Sequence, residues 1–404
     1  MAVINCSVMN NNFPNTKRLY FENSHLLEFS AQVLDSQINK DNWSVILDQT
    51  AFYPTGGGQP FDTGYLGEAQ VIDCIDNNGH IIHIVDKPIR GTILGKVNLL
   101  RRRDHLQQHT GQHILSQAFI QIAKAETRGF HLGTESSTID LEIQQLTPDL
   151  ISKTEDLANS IIFENRPIIV HLTNEKDKFP LRKDTEREDC IRIIEITDFD
   201  FSPCGGTHAH HTGEVGLIVI RSIERIKQMW RVEFLCGQRA LTDYRTAHQT
   251  AIETAKLFSA SRDKSPELVI KLQQALKDLQ KHNHDLLHQV LSTEAINMYN
   301  STIPNSNNLR VIKSIFSRNI DELKTLAQLL VAQPSIVVLL ATTLDSPKII
   351  FACSNDVNID CGKLLSQFCK EFGGRGGGKA QFAQGGLPIA TEFQTALETL
   401  ALSL

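Results

Sequence analysis

Two imidazoles four residues apart, in His109-Thr110-Gly111-Gln112-His113, are the first residues in this chain whose types and spacing could do chemistry. On a helix, side chains four apart project from one face and can grip a single ion. Alone, such a pair is as readily a coincidence of surface or core. A second cluster, Cys204-Gly205-Gly206-Thr207-His208, begins 91 residues after His113 and sets a thiolate and an imidazole around a small tripeptide that lets the backbone fold around an ion. Together they offer N, N, S and N donors, which suit tetrahedral zinc because its borderline softness accepts both imidazole and thiolate. His210 and His211 stand close enough to replace His208, and a free buried Cys beside a His-rich loop is the bland alternative. A metalloprotease needs Glu directly after the first His as its base; Thr110 stands there, so that class is excluded. Four protein ligands make a closed site, structural by default, whereas a catalytic ion keeps a position open for water or substrate. Both roles stay open at this point.

The elements that must position these residues follow from periodicity. Leu106, Ile114, Leu115, Ala118 and Ile122 mark one buried face of a helix expected from Arg103 to Ala125. Upstream, short apolar runs at Leu26 to Leu34, Trp43 to Leu47, Ala69 to Ile75 and Ile81 to Val85 alternate with turns, Asn77-Asn78-Gly79 among them. Residues 1–97 therefore read as a β-barrel-like module. After the helix come a strand (Ser137 to Ile143), a helix (Pro148 to Glu164) and strands at Ile168 to Leu172, Ile191 to Ile196 and Val215 to Glu224, so 98–237 is an α+β zinc-binding domain. A helical region over 238–300 breaks at Ser259 to Ser265 and resumes at Pro266. Its second part carries a heptad, Val269, Leu272, Leu276, Leu279, Asn283, Leu286 and Val290, which fits either a dimerising coiled coil or a hairpin packed on Ala240 to Phe258. Residues 309–404 alternate strands at Val311 to Ser314, Ile336 to Ala341 and Ile349 to Cys353 with helices at Ile320 to Ala332 and Ile359 to Phe372, an α/β domain ending in a glycine-rich loop. The fold class overall is α+β.

At 404 residues the chain is long enough for two to four domains, and 41% hydrophobic with 21% charged residues is the composition of a folded globular protein. No apolar run approaches the ~18 residues that cross a bilayer, and residues 1–15 lack the form of a signal peptide, so a cytoplasmic location is expected. The eight cysteines (6, 74, 190, 204, 236, 353, 361, 369) have no framework spacing and read as free thiols or ligands. A net charge of −6 excludes broad nucleic-acid affinity; RNA binding must be local and directed by shape. Arg101-Arg102-Arg103, directly before the predicted helix, suits phosphate contact as well as a solvated face. Gly373 to Ala380 nearly spells a phosphate-binding loop, but Ala380 lacks the hydroxyl that would hold Mg²⁺ and the loop follows a helix instead of a strand. Its backbone N–H groups, with Arg375 and Lys379, suit an RNA backbone better; a tight connection between strands is the alternative.

Three motifs in register carry a family resemblance. Leu47-Asp48-Gln49-Thr50-Ala51-Phe52-Tyr53-Pro54-Thr55-Gly56-Gly57-Gly58-Gln59-Pro60, then His109 to His113, then Cys204 to His208, resemble the editing domain of alanyl-tRNA synthetases, shared by the freestanding AlaX-type proteins, across about Leu19 to Gly237. The ending Gly373 to Gly386 resembles the glycine-rich loop of the DHH-associated domain found in those synthetases and in the long AlaX proteins. On this pattern no aminoacylation domain precedes Leu19, and no Asp-His-His phosphoesterase motif occurs.

The resemblance implies a trans-editing hydrolase that deacylates Ser-tRNA(Ala), and by extension Gly-tRNA(Ala), with His109, His113, Cys204 and His208 as ligands to Zn²⁺. Hydroxyl-bearing selectors belong near Thr127 to Gly133: Thr127 first, with His131 and Ser137 behind it. Zinc suits polarising the ester carbonyl or anchoring the aminoacyl group, with the base drawn from bound water or a ribose hydroxyl, since no Asp or Glu presents itself. Gln59 is a candidate hydrogen bonder for the substrate, and Arg101, Arg102, Arg103, Arg375 and Lys379 are candidate contacts to the tRNA. A site that hydrogen-bonds the serine hydroxyl rejects alanine by up to ~10⁴-fold, whereas a pocket excluding an added hydroxyl gains only ~100-fold, which is why a separate hydrolase is useful. The rivals are a non-catalytic tRNA-binding protein with structural zinc and a zinc hydrolase of small aminoacyl esters. A homodimer through the helical region or the C-terminal domain is a further expectation.

Overall fold

Between Glu28 and Val97 six strands build one sheet: β1 (Glu28–Asn39), β2 (Asn42–Leu47), β3 (Gly64–Leu66), β4 (Ala69–Asn77), β5 (His80–Val85) and β6 (Thr92–Val97). The structure, a computed structural model, describes residues 13–183, 191–344, 347–388, 395 and 397–398. The strands pair antiparallel in the order β1-β2-β5-β4-β3-β6, and β6 returns to β1, with Lys96 opposite Glu28, to close a barrel. Alternation places Phe29 and Ala31 of β1, and Ala69 and Val71 of β4, in its core; a register shift between Val71 and Asp73 then turns Cys74 inward. Asn78 (φ 50°) and Gly79 (φ 95°) form the hairpin turn expected between β4 and β5. The long connection from β2 to β3 carries the Gly56-Gly57-Gly58-Gln59 segment, closed by a bridge between Gly56 and Gln59.

Helix α1 (Leu99–Ala123) starts four residues before the periodicity suggests, because the Asn98 side chain accepts the Arg101 N–H at 3.0 Å and caps it. Arg101, Arg102 and Arg103 therefore sit inside its first turns, not before it. From His105 to Ser116 every residue of α1 is buried, so the helix is sheathed on all sides. Ile114, Leu115, Ala118 and Phe119 join a core with Ala158, Ile161 and Ile162 of α2 (Pro148–Phe163) and with two small sheets. One sheet has the order β12-β13-β8-β7, where β7 is Glu126–Leu132, β8 Ser137–Glu142, β12 Ile218–Ile226 and β13 Met229–Cys236. The other pairs β9 (Ile168–Thr173), β10 (Ile191–Ile196) and β11 (Asp200–Pro203) in sequence order.

The chain divides into two compact units, Met1–Glu253 and Thr254–Leu404, with the boundary inside α3 (Gln238–Leu257). The second unit contains the 37-residue α4 (Ser265–Ser301) and a five-stranded sheet. Parallel strands β14 (Arg310–Phe316) and β15 (Ile336–Thr342) are joined by α5 (Ile320–Val331). β16 (Lys348–Cys353), α6 (Cys361–Glu371), β17 (Arg375–Lys379) and β18 (Phe382–Gly386) complete the order β14-β15-β16-β18-β17. Leu291 and Ala295 of α4 are buried against Leu323, Leu326 and Leu330 of α5. The heptad positions earlier in α4 lie in water: Leu272, Leu276 and Leu279 are each more than half exposed. The glycine-rich segment expected as an anion-binding loop is instead strand β17, hydrogen-bonded along its length to β18 with Arg375 opposite Gly386 and Lys379 opposite Phe382. A laddered strand has spent its N–H groups on that side on a neighbour, so the cradle expected there does not form.

Candidate metal centre

His109 and His113 lie on consecutive turns of α1, and Cys204 and His208 on the loop after β11, within the first unit; the three histidines are buried and Cys204 is half-buried. Their four donor atoms all lie within 4.8 Å of one another. Cys204 Sγ is 3.4 Å from His109 Nε2 and 3.3 Å from His208 Nε2. Bonds of about 2.3 Å to sulfur and about 2.0 Å to nitrogen at a tetrahedral zinc put such donors ~3.5 Å apart, which these two distances match to within tenths of an ångström. His208, not His210 or His211, is the residue that joins the group; both of the latter are exposed.

Each imidazole meets a partner at its other nitrogen. Gln59 Oε1 accepts the Thr207 N–H at 3.1 Å, which fixes the orientation of that amide, and it lies 2.8 Å from His109 Nδ1. Nδ1 must then donate, which leaves Nε2 bare for an ion. His208 Nδ1 faces Thr110 Oγ1 at 3.4 Å, and the same hydroxyl oxygen accepts the Ala209 N–H at 3.0 Å. His113 Nδ1 faces Asp200 Oδ2 at 3.6 Å, and Asp200 is braced by Arg182 at 3.3 Å. Burial alone would raise the Cys204 thiol, but His109 and His208 outweigh it and hold the thiol well below its ordinary range. Burial, with His109 and His113 beside it, pushes His208 well below the usual imidazole value, so the group presents a thiolate and a neutral imidazole. Two glycines are required by close approach. A Cβ on Gly206 would strike the His109 ring, and one on Gly58, at φ 80°, would strike Phe130.

A cavity of about 330 Å³ reaches this group, lined by His113 and Cys204 together with Gln112, Thr127, Arg128, Phe130 and Arg182. Thr127 thus stands in the pocket, where its hydroxyl donates to Ser116 Oγ at 2.8 Å; the Gln112 amide donates to the same oxygen at 2.8 Å. Gln112 Oε1 is buried without a hydrogen-bond partner among the described residues.

Other expected site residues stand elsewhere. Gln59 is 1% exposed and does not line the cavity; its carbonyl faces His109 Nδ1 and its amide donates to Thr207 Oγ1 at 2.9 Å, so both of its polar ends are engaged within the protein. His131 is exposed on β7 and is not among the lining residues, and Ser137 is buried in the sheet opposite Phe234. Arg102 is no RNA contact: it is 1% exposed, pairs with buried Asp62, and donates to the carbonyls of Ser24 (2.7 Å) and Ala51 (2.5 Å). Arg101 donates to Phe61 O and lies over the Phe61 ring, whereas Arg103, and in the second unit Arg375 and Lys379, are exposed. Asp200 escaped the sequence reading although its inward place in Asp200-Phe201-Ser202, four residues before Cys204, was a signal; Gln112 and Ser116 lay inside a helix already read for its histidines.

The centre and its cavity can now be set beside known proteins. Residues 191–233 match the family model described as threonyl and alanyl tRNA synthetase second additional domain, 310–403 the DHHA1 domain, and 6–96 the tRNA synthetases class II (A) model. The alanyl-tRNA editing protein AlaX-L of Pyrococcus horikoshii is 32% identical over 408 residues, covering 95% of this chain and 98% of that one. The chain belongs to the AlaX-L family. Alanine–tRNA ligases of Methanoregula boonei (32% identical) and Thermococcus kodakarensis (30% identical) also align over 95% of this chain, but it spans only 43% of either ligase. Within this AlaX-L chain, Cys204 and His208 lie in the matched segment 191–233, and the His109–His113 pair lies outside all three matched segments.

Proposed function

We propose that this AlaX-L protein removes serine, and by extension glycine, from mischarged tRNA(Ala) at the His109–His113–Cys204–His208 centre, with zinc as its metal. The reaction class comes with the family: the protein is an aminoacyl-tRNA deacylase. The observation that carries the finer reading is the cavity that reaches two of the four ligand residues, His113 and Cys204, and whose lining mixes apolar Ile120 and Phe130 with polar Gln112, Thr127 and Ser202. A structural zinc has its four positions filled by protein and needs no cavity beside it. When bound, zinc would supply positive charge to polarise the ester carbonyl or hold the aminoacyl group. The chain's own part is orientation. Thr127, half-buried in the cavity lining, offers a hydroxyl oxygen that pairs with a serine side chain and is left unpaired by alanine. Lys183, exposed at the rim, suits an anionic RNA end better than a small neutral ester. The described cysteines are all free thiols, which supports a cytoplasmic location, where aminoacyl-tRNA is made.

The test is hydrolysis of serine-charged and alanine-charged tRNA(Ala) by zinc-loaded wild type and by a His109→Ala variant shown to fold. Loss of serine alone, abolished in the variant, supports the reading. If zinc-loaded wild type hydrolyses neither substrate, it is wrong.

A further inference from the structure

A second group of ligand-type side chains stands behind the first, on the outer side of the same loop. His25, from the turn before β1, His210, from the loop after the inner ligands, and Glu214, from a one-turn helix at Thr212–Val215, bring three donor atoms within 4.8 Å of one another. His25 Nε2 is 2.7 Å from Glu214 Oε2, and the rings of His25 and His210 lie 4.0 Å apart at 40°. We infer that His25, His210 and Glu214 form a second metal site, which takes a divalent transition cation such as zinc on two imidazole nitrogens and one carboxylate oxygen and leaves a coordination position open to water.

The donor set is the first argument. Two imidazoles and a carboxylate are a recurring zinc triad, and with only three protein ligands the fourth position stays free. Preorganisation is the second: the His210 carbonyl accepts the Ile168 N–H at 2.8 Å, and Glu214 and the turn bearing His25 are held by further backbone contacts. Glu214 Oε1 accepts the backbone N–H groups of His210 (3.0 Å) and His211 (3.1 Å), which leaves Oε2 to face His25. The turn bearing His25 is fixed from both sides. Asn23 Oδ1 accepts the His25 N–H at 3.0 Å, and Arg102 donates to the Ser24 carbonyl at 2.7 Å. Exposure is the third: His25 and Glu214 side chains keep 34% and 39% of their surface, so an ion can reach them. On binding, the proton shared between His25 Nε2 and Glu214 Oε2 leaves to solvent, and the two atoms open from 2.7 Å to the ~3.3 Å that separates nitrogen and oxygen donors around a tetrahedral ion.

The outer group is distinct from the inner one but tied to it. Ser24, beside His25, donates its hydroxyl to the backbone carbonyl of His208 at 2.5 Å, and Gln107 of α1 donates to the Glu214 carbonyl at 3.0 Å. An ion on the outer site would therefore brace the loop that presents Cys204 and His208.

Stripped full-length protein titrated with Co²⁺, and separately with Zn²⁺ against a competing chromophoric chelator, tests this. Thiolate-to-cobalt charge transfer reports the inner site alone, because the outer one has no sulfur. Wild type is expected to take two equivalents, and His25→Ala and His210→Ala one each, with the thiolate band intact. His25→Gln, which keeps a hydrogen bond to Glu214 without an imidazole, should also take one and guards against collapse of the turn. Saturation of wild type at one equivalent, or two equivalents retained by both alanine variants, overturns the proposal. Loss of the thiolate band in folded His25→Gln would equally overturn it, by showing that the two groups are not separate sites.

Discussion

Replacing Gln59 by Leu isolates the role of a side chain that never touches the cavity. Leu fills a similar volume but offers nothing to His109 Nδ1, now 2.8 Å from the Gln59 carbonyl, or to the Thr207 N–H at 3.1 Å. The imidazole then loses the partner that fixes its tautomer and orientation. Partners of this kind are worth 10–100-fold in metal affinity, or about 1.4–2.8 kcal/mol at 1.4 kcal/mol per decade. Zinc affinity measured by competition against a chromophoric chelator should fall by that factor, and deacylation at limiting zinc should fall in parallel and recover when zinc is raised. Gln59→Glu keeps an acceptor for both donors and should retain most of the affinity. If Gln59→Leu binds zinc as tightly as wild type yet hydrolyses mischarged tRNA slowly at saturating metal, Gln59 touches substrate and the reasoning fails.

Arg102→Met should destabilise the first unit by about 3–5 kcal/mol in urea unfolding, because it strands the buried Asp62 carboxylate. Burial pushes Asp62 up, but the Arg102 charge, the nearby His105 ring at 3.6 Å and hydrogen bonds from Arg102 and the Tyr53 N–H hold it below its usual value in wild type. In the variant burial raises it above the unfolded value of about 3.9, so the variant's deficit should shrink as pH falls from about 7 towards 5; a deficit independent of pH would refute this. Gly206→Ala drives a methyl into the His109 ring and should abolish tight zinc binding by dialysis and metal analysis, whereas Gly205→Ala, with open space at its Cβ, should not. Thr127→Val removes the donor to Ser116 and should slow serine release about 10-fold or more while zinc content stays at wild-type level; equal rates would remove Thr127 from the pocket's chemistry.

What could be read from the sequence was what is local. The i, i+4 histidines, the Cys-to-His tripeptide and the Asn78-Gly79 turn declare themselves within a few residues, and the structure brings the four ligands together. Gln59 lies 50 residues from His109, and nothing in its own neighbourhood says that its carbonyl ends against that ring. Three arginines in a row read the same whether solvated or buried; Asp62, 40 residues upstream, decides the middle one. Strand β7 lacks apolar alternation because it is a sheet edge interrupted by Gly129. Three glycines make β17 look like a loop, yet α6 packs so close that a Cβ on Gly376 would stand 2.7 Å from Cys369 Sγ.

The 91 residues between His113 and Cys204 also set a schedule. At ~5–20 residues per second a ribosome needs about 5–18 s to make that stretch, so the helical pair of histidines emerges well before its thiolate partner exists. During that interval two imidazoles can hold an ion only weakly, and the chelate closes once residue 208 has cleared the exit tunnel. On the zinc reading proposed above, capture of the ion is then a late event of synthesis. Ribosome-arrested chains ending shortly before residue 200 should release zinc to a chelator that full-length protein resists.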